Sequence, residues 1–185
     1  MFAKQSSIPS GARQVEKLSL TGHERYLHAD DIIVSKTDLQ GKITYVNKIF
    51  MDISDYSEKE MLGAPHSAIR HPHMPRVIFK LLWETITSGK EIFAYVMNRC
   101  KNGDHYWVMA HVTPSYTLDR KLLGYHSNRR APRREALEVI IPLYKELYDL
   151  EQKIGRKDGL DASFSHLQIF LKEKEVSYEK FILSI

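Results

Sequence analysis

An Asn-Gly pair at positions 102 and 103 stands between two long β-prone runs, residues 91–100 and 105–116, and it constrains the fold more than any other feature. Asn-Gly accepts the positive φ angles that a tight reversal demands, so the two runs must lie side by side and antiparallel. A second, shorter pair of β-prone runs, 32–37 and 42–46, flanks Leu39-Gln40-Gly41 and reads as another hairpin. Residues 118–121 then turn the chain into a fifth run at 122–129, and Pro132 closes the sheet.

Helical signals fill the space between the hairpins. Asn47 is placed to cap a helix whose Ile49, Phe50 and Ile53 share a face, and Ser57 with Glu60 forms a capping box for a second one. Pro75 suits the first turn of a third helix, in which Val77, Ile78, Leu81, Leu82 and Ile86 repeat at helical spacing before Ser88-Gly89 stops it. The order β-β-α-α-α-β-β-β followed by helix predicts an α+β fold, with a five-stranded antiparallel sheet and helices on one face.

The flanks are of a different character. Residues 1–28 are a polar lead, broken by Pro9 and Gly11, with a short helix expected around residues 15–20; residues 29–131 form the domain. Residues 132–155 are a connecting helix, "REALEVIIPLYKELYDLEQK", expected to be interrupted at Pro142. Gly155, Gly159 and the charges between them mark a linker into a tail, 156–185. There Phe164, Leu167, Phe170 and Leu171 predict a sticky helix, packed back on the domain or reserved for a partner.

Composition narrows the function by exclusion. With 185 residues, 43% apolar and 27% charged, the chain reads as one globular domain with extensions. A net charge of +4 without a long basic run gives no footprint for nucleic acid. One cysteine, Cys100, excludes an internal disulfide framework and fits a reducing compartment. No stretch of 18 apolar residues and no signal-peptide core is present, so a cytoplasmic protein without direct membrane insertion is expected. There is no GxSxG, no paired carboxylate motif and no glycine-rich phosphate loop, and no enzyme activity is expected.

One stretch stands apart, "IRHPHMP" at 69–75. His71 and His73 are spaced like metal ligands, but the other histidines and Cys100 are scattered without CxxC, HxxxH or HExxH spacing. The stretch reads better as a pocket wall. Arg70 is a permanent cation with a fork suited to phosphate, His71 is planar and can donate, and Pro72 and Pro75 reduce the freedom that a ligand must freeze. Trp83, further along the helical pattern, offers either a wall for an aromatic ligand or simple core packing.

The element order, with "DIIVSKTDLQGKITYVNKIFMDISDYSEKEMLGAPHSAIRHPHMP" and "NRCKNGDHYWVMAHVTP", resembles a PAS sensor domain. More narrowly, it is similar to the flavin-binding PAS domain of bacterial aerotaxis and energy-taxis receptors, from about residue 31 to 148 and including "PLYKELY". The resemblance implies FAD held non-covalently between helices and sheet. It implies FAD-binding roles for Arg70, His71 and His73, a pocket-wall role for Trp83, and an amide contact from Asn98 to the flavin edge. That family usually carries aspartate where this chain has His73.

It further implies a redox or oxygen sensor that signals through contacts with a membrane chemoreceptor or another signalling protein, and a homodimer built on the flanking segments. A ligand-free PAS interaction module and a haem-binding PAS gas sensor are the alternatives. Light-sensing relatives need a cysteine in the region 64–75, which has none, and none of His66, His71, His111 or His126 stands in a haem motif.

Overall fold

The computed structural model describes residues 19–185. The first hairpin is β1 (Ile33–Thr37) with β2 (Ile43–Val46). Next come α1 (Lys48–Ser54), α2 (Glu58–Met61), a 3-10 turn at His66–Ile69, and α3 (Arg76–Thr87). Three strands follow, β3 (Ile92–Arg99), β4 (His105–Tyr116) and β5 (Leu122–Arg130). The chain ends in α4 (Arg134–Ile154), α5 (Arg156–Glu173) and α6 (Tyr178–Ser184). The five strands form one antiparallel sheet, as the sequence predicts; their order in it is β2-β1-β5-β4-β3.

The local signals act as read. Asn47 accepts the Phe50 amide at 3.1 Å, and Glu60 accepts the Ser57 amide at 3.0 Å. At the 102–103 turn the reversal is a three-residue loop: Gly103 donates to the Cys100 carbonyl at 3.1 Å, Cys100 to the Asp104 carbonyl at 2.8 Å, and Gly103 takes φ +96°. Described lead residues brace this turn. Thr21 and Arg25 both bond the Asp104 carboxylate, at 2.6 and 2.8 Å. Most of the helix expected at 15–20 lies outside the described residues, and Ser19 and Leu20 are not helical.

Helices α1–α3 gather on one face of the sheet, over Ile33, Ile43, Val96, Val108 and Ala110. The C-terminal helices do something different. Strand β3 is an edge, and an open edge exposes unpaired backbone groups. Tyr144 of α4 donates to the Tyr95 carbonyl at 2.9 Å, His71 donates to the Met97 carbonyl, and Met97 donates to the Met74 sulfur. Two segments, α4 and the 69–75 stretch, therefore close that edge. Tyr144 also lies 6.2 Å from Trp107, whose side chain points to the opposite face from Val108, so α4 reaches round the edge.

Two expectations for the C-terminal region are corrected. Helix α4 runs unbroken through Pro142. The proline is exposed, so the carbonyl it leaves without a helical donor faces water, while Ile140, Leu143, Tyr144 and Leu147 are buried and pin both halves. The stretch read as a linker is no linker, because α5 starts at Arg156, directly after Gly155. Gly159 lets α5 press against α4: a Cβ there would stand 2.7 Å from the Glu151 carbonyl. The tail is two helices packed back on the domain, burying Ser163, Leu167, Phe181 and Ile182.

Glu151 ties this arrangement together. Its side chain is fully buried and accepts from the Arg76 and Val77 amides at 2.9 Å each, from Arg76 Nε at 3.0 Å and from the Ser163 hydroxyl at 3.0 Å. It caps the N-terminus of α3 from another helix, since neither Pro75 nor any neighbour offers a side-chain cap there. No helix among the described residues is long and apolar enough to cross a membrane.

Candidate functional site

A cavity of about 210 Å³ lies between α3 and the sheet. One wall is aromatic. Trp83 stands edge-on to Tyr125, ring centres 5.6 Å apart at 88°, and Phe79 sits under the Arg70 guanidinium at 4.0 Å. The far wall is polar and comes from the sheet, where alternate residues of β1, β3 and β5 point inward: Ser35, Asn98, Ser127 and Arg129.

Arg129 dominates this wall. It is 2% exposed, donates to Ser35 Oγ at 2.7 Å and contacts His66 Nε2, which lies 3.3 Å from the same Ser35 hydroxyl. Burial, and then the Arg129 charge, push the His66 pKa down to about 3, so the imidazole is neutral. Burial also pulls Arg129 down to about 10, which leaves it charged near neutral pH. No carboxylate is among the described residues lining the cavity. The second guanidinium nitrogen, Arg129 Nη1, has no hydrogen-bond partner, and neither does Ser127 Oγ. The Asn98 amide nitrogen, beside the Tyr106 hydroxyl, makes no bond of good geometry.

An unpaired buried polar group costs about 1–3 kcal/mol, so three of them on residues that line one cavity fit a ligand that supplies missing partners. A group that fits this cavity is flat enough to lie beside Trp83 and carries acceptors for Arg129. A flavin ring has that shape and alternates polar edge atoms, so the residues present fit it. Near the mouth, Gly41 takes φ +77° against the Trp83 indole, where any Cβ would stand 2.9 Å from two ring atoms.

The structure divides the five residues expected at the site. Arg70, Trp83 and Asn98 line the cavity. His71 and His73 do not. His71 is buried with its Nδ1 accepting the His73 amide at 3.2 Å, and burial lowers its pKa to about 4. His73 is exposed and packs on Tyr148 of α4, ring centres 5.4 Å apart. Arg70 and Asn98 meet as an antiparallel bridge, which ties the 69–75 stretch to β3.

His66, Ser35, Ser127 and Arg129 escape sequence reasoning as parts of the cavity wall. The inward alternation of β1 and β5 was the available signal, but it does not say which inward positions face a cavity and which face packed core. Of the four histidines considered for haem, only His66 lines the cavity, and its Nε2 is engaged by Ser35 and Arg129. Cys100 lies away from the cavity, its thiol donating to the Ile53 carbonyl at 3.2 Å and raised by burial to about 12. No group of three His, Cys, Asp or Glu among the described residues is arranged to hold a metal ion.

The family described as PAS fold matches residues 43–129, the stretch that contributes strands β2–β5 and helices α1–α3. Residues 43–129 have the PAS fold. The chain is 42% identical over 118 residues to the aerotaxis receptor of Escherichia coli (strain K12), covering 64% of this chain and 23% of that protein. It is 27% identical over 134 residues to the bacterioopsin transcriptional activator of Halobacterium salinarum, covering 69% of this chain and 19% of that one. The chain thus spans less than a quarter of the length of these two relatives. Among solved structures, a light-oxygen-voltage domain studied with a flavin analogue superposes with a TM-score of 0.53 at 13% identity, over 60% of this chain and 83% of that one. That likeness concerns the fold of the PAS domain.

Proposed function

We propose that this PAS domain binds FAD and reports redox state or oxygen through protein contacts, without substrate turnover. The observation that carries the proposal is the polar wall: a charged Arg129 without a carboxylate beside it, next to unpartnered polar atoms of Ser127 and Asn98, facing Trp83 across a cavity. Two names agree with it, an aerotaxis receptor as a relative and a light-oxygen-voltage domain, studied with a flavin analogue, as a fold neighbour.

Bound FAD supplies reversible electron transfer. The protein's part is to hold and read the ring. Arg129, anchored by Ser35 and neutral His66, offers a fixed positive charge to the ring edge, where it favours added negative charge. Asn98 both donates and accepts, so it follows a change in edge hydrogen bonding by reorienting its amide. Asn98 lies on the edge strand that carries the Arg70 bridge and, three residues earlier, the Tyr144 bond to α4. A rearrangement at Asn98 therefore biases the contacts of β3 with the 69–75 stretch and with α4, as a switch requires.

The output in this proposal is docking on a membrane chemoreceptor or another signalling protein in the cytoplasm, with homodimerisation through the flanking segments. The deciding experiment is an absorbance spectrum of natively purified protein. Flavin bands support the proposal; a Soret band, or failure of the cofactor-free protein to take up added FAD, sinks it. Replacement of Trp83 or Arg129 is expected to release the flavin.

A further inference from the structure

The cavity between α3 and the sheet has a neighbour. A groove of about 280 Å³ runs on the other side of the 69–75 stretch, between it and α4. Ser67 and Arg70 line both spaces, so they form a shared wall. The groove is closed on its far side by Tyr148 and Gln152 of α4.

Size makes the neighbour relevant. A cavity of about 210 Å³ lies below the roughly 300–1,000 Å³ of pockets that enclose a drug-sized ligand, so it suits a ring system and not a dinucleotide. The rest of an FAD molecule has to lie outside this cavity.

The groove's chemistry fits that remainder. Arg70 makes no ion pair among the described residues; it donates to the Met74 carbonyl and lies over Phe79. Arg76 adds a second guanidinium, and the single carboxylate present, Glu151, is fully buried and accepts four hydrogen bonds. The local balance is therefore positive, which suits a diphosphate. Tyr148 presents a half-buried ring already in contact with His73, and the exposed Gln152 amide lies one helical turn further on. An aromatic face beside an amide suits a purine.

We propose that this groove seats the diphosphate and adenosine of FAD, with Arg70 at the crossing point and Tyr148 under the adenine. The inference rests on the flavin assignment above and extends it. It makes α4 part of the cofactor site, so the helix that closes the β3 edge also senses whether the dinucleotide is in place. It also gives the 69–75 stretch a part in binding, although His71 and His73 stay out of the cavity.

The test is fluorescence titration of the cofactor-free full chain with two probes, FAD and riboflavin, which share the ring and differ in the tail. FAD is expected to bind at least about tenfold more tightly. Tyr148→Ala is expected to cost about tenfold in FAD affinity, in line with the loss of one base–aromatic stack, and to leave riboflavin unchanged. Tyr148→Phe keeps the ring and is expected to retain full FAD affinity, while Gln152→Ala at an exposed position gives a smaller loss for FAD alone. Equal affinities for the two probes overturn the inference, as does a Tyr148→Ala variant that weakens both probes alike or neither. If neither probe binds, the flavin assignment fails, and this inference with it.

Discussion

Gly41 and Trp83 are packed so closely that the Cα of one lies on the indole of the other, with no room for a methyl group between them. The glycine lies in the turn of the first hairpin and the tryptophan on α3, so this contact fixes the distance between that turn and the helix beside the cavity. Gly41→Ala pushes the ring away and also strains a backbone at φ +77°. We expect a stability loss of about 1–2 kcal/mol by urea denaturation. We also expect at least about tenfold weaker flavin binding. Unchanged binding would show that Trp83 is core packing and no cavity wall.

Arg129→Lys separates charge from geometry. Lysine keeps a positive charge but loses the fork that reaches Ser35, His66 and the cavity together. Flavin content of the purified variant, read as the ratio of visible to ultraviolet absorbance, is expected to fall at least about tenfold, by analogy with the loss of a charge-assisted bond worth about 1.5–3 kcal/mol. Full retention of flavin would remove Arg129 from the site.

Glu151 is the strongest single tie between the α3 N-terminus and the C-terminal helices. Glu151→Ala removes a carboxylate that Arg76 Nε, two helix-end amides and the Ser163 hydroxyl share as acceptor. The expected cost is about 3–5 kcal/mol, as for other buried pairs broken from one side. Limited proteolysis is expected to attack residues 156–185 first. Glu151→Gln, which keeps one acceptor, should lose less.

Acid weakens this protein before its carboxylates titrate. His66 and His71 are held neutral by burial, with pKa values near 3 and 4 against 6.5 for a free histidine. The unfolded chain therefore binds more protons than the folded one as pH falls below about 6.5, and stability must drop with it. Thermal midpoints are expected to decline between about pH 6.5 and 4.5, and His66→Gln should flatten that decline. An identical slope in the variant would mean that His66 does not carry it.

The sequence by itself determined the two hairpins, the antiparallel character of the sheet and the three helices over it, because those follow from local signals. Asn102-Gly103 sets a turn, Asn47 and Ser57 set caps, and apolar period sets faces, each within a few residues. The same locality misled at α4 and α5. Pro142 and Gly155 look like breaks when read locally, yet burial on either side of the proline and the close approach at Gly159 build a helical hairpin instead.

At the site, Arg70, Trp83 and Asn98 were legible through resemblance, while Arg129, His66, Ser35 and Ser127 were not. Those four come from opposite ends of the domain and meet only because β1 pairs with β5, with Ser35 opposite Ser127, and the His66 turn folds over them. A periodic pattern can say that a residue points inward. Whether inward means packed core or cavity depends on what the rest of the chain leaves unfilled, and only the tertiary structure decides that.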